Sequence, residues 1–125
     1  MQSTEQTIRD TFSQWTTAWN AGDIDGYLVC YAPTENVTYI GSGKIIRGQD
    51  AIANHFRQRF PSSETMGQLT IKSLEVNLLG AGHAQLLGIF EHQINDAQSR
   101  GIFTLYLKNI NDTWYIVVDH SSALN

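Results

Sequence analysis

The hydrophobic rhythm of this chain changes for good near residue 68, and that change limits the fold more than any other feature. Before Gln68, one short hairpin aside, the apolar side chains recur at helical offsets, and from Gln68 onward they recur at every second position. Helices followed by a run of strands describe an α+β domain, with helices laid on one face of an antiparallel sheet.

The helical part has its own punctuation. Ser3 with Gln6 three residues on reads as a capping box, and Ile8, Phe12, Trp15 and Trp19 follow on one face. Asn20-Ala21-Gly22-Asp23 stops that helix, and Asp23 caps a second one whose Ile24, Tyr27, Leu28 and Tyr31 share a face before Pro33 ends it. Val37 to Ile40 and Lys44 to Arg47 are short β-type runs about the turn Gly41-Ser42-Gly43, which makes a small hairpin. After Gly48, Asp50 is placed to cap a third helix with Ile52, Phe56 and Phe60 on its apolar line and His55 and Arg59 beside them; Pro61 closes it.

Beyond Gln68, turns at Gly80-Ala81-Gly82, Asn95-Asp96-Ala97 and Asn111-Asp112 join four long antiparallel strands. Leu69 and Ile71 have one parity while Leu74, Val76 and Leu78 have the other, which predicts a bulge near Lys72-Ser73 that bends the sheet. The last two strands are apolar on both faces: Ile102 and Tyr106 alternate with Phe103, Leu105 and Leu107, and Tyr115 and Val117 alternate with Trp114, Ile116 and Val118. Three helices cover only one side of a sheet, so the other is expected to be buried by a second copy of the chain, as a homodimer.

Length and composition exclude several roles. The 125 residues suit a single domain, and no stretch approaches the roughly 18 apolar residues of a membrane span. Eight basic against twelve acidic residues leave a net charge of -4 with no basic stripe, which disfavours nucleic acid. The first residues lack the pattern of a secretory signal, so a cytoplasmic location is expected. The lone Cys30 falls in an apolar helical pattern and reads as a buried, inert thiol. Histidines 55, 83, 92 and 120 lack ligand spacing, so no metal is expected, and Gly41-Ser42-Gly43-Lys44 lacks the pattern of a phosphate loop.

Three motifs stand in this order: Trp19-Asn20-Ala21-Gly22-Asp23-Ile24-Asp25-Gly26-Tyr27, then Ile46-Arg47-Gly48-Gln49-Asp50-Ala51-Ile52, then the tail from Trp114 to Ser122. Together with the order of elements they resemble the nuclear transport factor 2-like superfamily, and within it the SnoaL-like proteins and their relatives near the calcium/calmodulin-dependent kinase II association domain. The resemblance spans nearly the whole chain. It implies one domain over residues 1–125 and a cystatin-like cone: three N-terminal helices packed on the concave face of a strongly curved antiparallel sheet. That superfamily holds isomerases, cyclases, dehydratases, adaptors and assembly domains, so the likeness specifies fold more than function.

In the superfamily's ketosteroid isomerases a carboxylate after the second helix abstracts a proton, and a tyrosine and a protonated carboxyl hold the oxyanion. Here the resemblance puts Tyr39, Trp15 and about Phe103 at those places, so the polar groups are missing and that activity is rejected. His120 is the better acid-base candidate, since it shares parity with Trp114 and Ile116 and a histidine can take or give a proton near neutral pH. Asp119 adjoins it but points to the opposite face unless a bulge turns one of them, so it reads as an interface or structural carboxylate, although the resemblance includes cyclases that use an aspartate near this strand. Arg59 and His55 flank the apolar line of the third helix, where one of them is placed to reach over a pocket mouth toward a carboxylate or phenolate. Trp15, Trp19, Tyr31, Tyr39, Phe56, Phe90, His92 and Phe103 complete the expected lining.

The expected function is binding of a small hydrophobic or aromatic molecule, with turnover by acid-base chemistry, isomerase- or cyclase-like, through His120 and without a cofactor. The alternative is a non-catalytic binding or oligomerisation module resembling the kinase association domain.

Overall fold

Ser3 opens the first helix, α1 (Thr4–Asn20), by accepting a hydrogen bond from the Gln6 N–H at 3.1 Å. The other half of the expected capping box is not made, because the Gln6 side chain turns to Asp10 Oδ1 at 2.9 Å. The computed structural model describes residues 2–124, and its remaining elements are α2 (Ile24–Leu28), β1 (Thr38–Gly41), β2 (Lys44–Arg47), α3 (Gln49–Arg59), α4 (Ser63–Met66), β3 (Gln68–Leu78), β4 (His83–Ile94), β5 (Ala97–Ile110) and β6 (Thr113–Ala123). Among the described residues no helix is long and apolar enough to cross a membrane.

Three helix boundaries differ from the sequence reading. Asp23 does cap α2, accepting from the Gly26 N–H at 2.9 Å, but the helix ends at Leu28 rather than running to Tyr31. The chain is pulled out because its backbone joins the sheet: Ala32 N–H donates to Ile116 O at 2.9 Å and Ile116 N–H to Cys30 O at 2.7 Å. α3 starts from Gly48, at φ +95°, with no side-chain cap, so Asp50 lies inside the first turn, where its charge still suits the helix N-terminus. A fourth, single-turn helix, α4, follows Pro61 and carries a true capping box between Ser62 and Thr65.

The strands form one sheet in the order β2-β1-β6-β5-β4-β3. The long meander β3 to β6 is antiparallel throughout, as expected, and the predicted bulge lies between Ile71 and Ser73. The β1–β2 hairpin joins by a parallel pairing of β1 with β6, in which Thr38 faces Val118, Tyr39 faces Asp119 and Ile40 faces His120. Sequence period gives no sign of that pairing, because the partners lie far apart in the chain.

A second bulge falls in β6. Tyr106 pairs with Val118 and Leu107 with Ile116, so Val117 is the extra residue. A one-residue insertion reverses the facing of everything after it. Trp114 and Ile116 are buried before the bulge, and Asp119 is buried after it, while His120 is exposed.

Two strand glycines set how close the sheet's inner layer lies. Gly88 faces Phe103 and Gly101 faces Phe90 across β4 and β5, and each phenyl ring lies where a Cβ on the glycine would be. The core between helices and sheet includes Ile8, Trp19, Ile52, Met66, Leu86 and Leu107, all buried. Burying each large apolar side chain contributes about 1.5–3 kcal/mol, so this layer carries most of the folding drive. Asn20 ties α1 to β3 more specifically, accepting from Leu69 N–H at 2.7 Å and donating to Leu69 O at 2.9 Å.

Candidate functional site

α1, α3 and the inner face of the sheet enclose a cavity of about 410 Å³. That is within the range of small-molecule pockets. α1 turns Phe12, Trp15 and Trp19 into it, spaced to share one helical face; α3 contributes Phe56 and Arg59, and Phe60 follows as its C-cap; β1 contributes Tyr39; and the long strands contribute Phe90, His92 and Phe103. Trp15, Trp19, Tyr39, Phe56, Arg59, Phe90, His92 and Phe103 are thus brought together on one wall or another, where the sequence placed them.

Tyr31 is not on the lining. It is fully buried behind it, and its hydroxyl donates to Asp119 Oδ2 at 2.7 Å. Because α2 stops early, Tyr31 sits in the bridge to β6 instead of on a helical face.

His120, the expected acid-base residue, does not reach the cavity: the Val117 bulge turns it outward, and Asp119 takes the inner place instead. The parity shared with Trp114 and Ile116 fails because it was counted through that extra residue.

Among the described residues Asp119 is the one carboxyl on the cavity wall, 5% exposed, with Tyr31 donating to Oδ2 and the Ser121 hydroxyl donating to Oδ1 at 3.2 Å. Burial pushes its pKa up from 3.8 to about 6, against the hydrogen bonds from Tyr31 and Ser121 and the charge of His120, which favour the ionised form. Tyr27 lines the cavity and its hydroxyl lies 3.1 Å from that of Tyr31, so two phenols and the carboxyl form one chain. Burial, together with the nearby Asp119, holds both phenols well above their ordinary range, so neither ionises near neutrality.

Three further ionisable rings lie at or beside the wall. The His92 ring nitrogen Nε2 bonds to Met66 O, which also accepts from Trp19 Nε1 at 2.8 Å, and this pins α4 to the sheet. His55 is off the lining, with its ring 5.3 Å from that of Tyr39 and its Nε2 buried without a partner. Burial, then the charges of Arg59 and Lys44, lower its pKa and keep it neutral. Tyr39 is raised by burial and by Asp119, so it makes no base.

The arrangement suits proton transfer. A carboxyl with a pKa of about 6 accepts a proton more readily than an ordinary aspartate and can return it at neutral pH. The sequence reading set Asp119 aside as an interface or structural carboxylate, and it passed over Tyr27 and Ser121 as site residues. Only the spacing of Tyr27 and Tyr31 by four, one helical turn, hinted that these phenols would meet.

The model of the SnoaL-like domain family matches residues 8–125. A nuclear transport factor 2-like protein of unknown function from Shewanella oneidensis is similar over 96% of this chain and 99% of its own, at 29% identity and a TM-score of 0.91. A putative calcium/calmodulin-dependent protein kinase II association domain from Xanthomonas campestris is similar over 98% and 89%, at 19% identity and a TM-score of 0.82. A Nostoc punctiforme protein of unknown function with a cystatin-like fold is similar over 96% and 90%, at 11% identity and a TM-score of 0.77. The last two establish likeness of fold alone. No curated protein is significantly similar to the chain.

Proposed function

This chain belongs to the SnoaL-like domain family, and from that premise we propose that it binds a small apolar or aromatic molecule and turns it over by acid-base chemistry at Asp119. The observation that carries the reading is the buried Asp119 carboxyl, hydrogen-bonded by Tyr31 and Ser121, at the inner wall of an aromatic cavity. Aromatic walls supply binding through buried apolar area, and the carboxyl supplies a group able to move a proton near neutral pH.

In the proposed reaction the Asp119 carboxylate takes a proton from an acidified C–H or O–H of the bound molecule. It then returns that proton at a second position. The product is an isomer or a ring-closed form, and Asp119 ends as it began. Tyr31 keeps the carboxylate oriented by donating to it, and Tyr27, whose hydroxyl therefore donates to the Tyr31 oxygen, holds that phenol in place.

The test is hydrogen exchange in deuterated water, using a panel of small apolar ketones and aromatic carbonyl compounds, read by mass spectrometry. Deuterium should enter carbon sites next to the carbonyl with the wild-type protein and not with Asp119→Asn. Equal incorporation by the two proteins would remove Asp119 from the chemistry.

The outer face of the sheet fits a second copy of the chain. Ile102 is 41% and Tyr106 37% exposed on that face, with Tyr115 and Val117 half-buried beside them on the same two strands. In this reading the dimer covers the back of the sheet and leaves the cavity to the ligand.

A further inference from the structure

The charges around the cavity are ordered from inside to outside. The chain has a net charge of -4, yet among the described residues Asp119 is the only acid on the cavity wall and lies at its buried side, whereas the exposed side carries Arg59 and Arg100. Arg100 is already engaged, its Nε lying 3.7 Å from Glu91 Oε2. Arg59 enters no ion pair among the described residues.

Arg59 is nevertheless held in place. Its Nη1 donates to Ser42 Oγ at 3.3 Å, in the β1–β2 turn, and its Cζ stands 5.4 Å from the centre of the Phe60 ring. Those two contacts fix the guanidinium over the mouth and leave its other N–H groups without a protein partner among the described residues. Its charge is felt in the cavity, where it opposes the rise in the Tyr39 pKa that burial and Asp119 cause. A planar cation with free donors, fixed beside an aromatic chamber, is matched by an anionic oxygen group.

We propose that the ligand of this cavity is an apolar or aromatic molecule bearing one anionic group, a carboxylate or phenolate, held at the mouth by Arg59. This rests on the reading of the cavity as a ligand site and adds the ligand's class and direction. The anion stays at the mouth because the inner wall would set it against Asp119 in an apolar setting, where like charges repel strongly. The atom that exchanges its proton with Asp119 is therefore at the end of the molecule away from its charge.

The test compares 2-naphthoate with 2-naphthamide, which share a shape and differ in charge, by calorimetric titration at pH 7.5. Wild type should bind naphthoate about tenfold more tightly, the expected worth of a charge-assisted hydrogen bond at a partly exposed site. Arg59→Gln should remove the preference while keeping naphthamide affinity, and Arg59→Lys should restore part of it. Equal affinity for the two compounds in wild type, or a preference kept in Arg59→Gln, overturns the anionic class and leaves the cavity reading standing. Failure of both compounds to bind overturns the two together.

Discussion

Asparagine at position 119 keeps the shape of the aspartate and its place between Tyr31 and Ser121 but removes its charge. In the folded protein Asp119 titrates at about 6 and unfolded at about 3.8. Between those values the unfolded chain gives up a proton that the folded one keeps, so stability is complete below about pH 3.8 and falls as pH rises through 6. The gap of about 2 pH units, at about 1.36 kcal/mol each, puts the loss at about 3 kcal/mol. Other groups facing Asp119 do not confuse that window. Tyr27, Tyr31 and Cys30 are all raised well above their ordinary values by burial, and Tyr39 is raised as well. His120 is present in both proteins. Urea unfolding of wild type and Asp119→Asn from about pH 4 to 8 should therefore show the asparagine variant gaining on wild type by about 3 kcal/mol as pH rises. A constant difference between the two, or one that moves in favour of wild type with rising pH, would refute the claim that burial holds this carboxyl back from ionising.

Tyr31→Phe removes a hydrogen bond to the ionised form, so the Asp119 carboxyl should titrate about one unit higher in a carbon-detected NMR titration, and an unchanged or lower value would separate the two residues. Gly88→Ala places a Cβ against the Phe103 ring and 2.8 Å from Ser73 O, which should cost about 1–3 kcal/mol in urea unfolding; a neutral result would mean that the ring moves freely. Tyr106→Lys sets a charge on the exposed back of the sheet and should convert a dimer to a monomer in light scattering with the cavity intact. A wild-type protein that is already monomeric would refute the dimer.

The parts of the fold that were legible in the sequence are those encoded by neighbours in the chain. The Asp23 cap, the three hairpin turns and the Lys72 bulge could be read because each depends on residues a few positions apart. The bulge in β3 was visible because that strand is apolar on one face only, so the change of parity between Ile71 and Leu74 leaves a mark. β6 leaves none. Trp114, Tyr115, Ile116, Val117 and Val118 are all apolar or aromatic, and a strand with two apolar faces has no alternation from which to count. An inserted residue at Val117 is therefore silent, and Asp119 and His120 exchange faces without any change in pattern.

Most of the aromatic wall was determined by sequence alone, because Trp15 and Trp19 on α1 and Phe56 on α3 follow from helical period and amphipathic packing. Which ionisable group entered that wall was decided only in three dimensions. The register of β6 against β5 turns Asp119 inward, and the parallel pairing with β1 and the bridge at Tyr31 bring a tyrosine 88 positions away to its carboxylate. Local periodicity reports the face a residue prefers when its strand has a wet side and a dry one. Where both sides are apolar, the facing is set by the partner strand's hydrogen bonds, which sequence-local patterns do not contain.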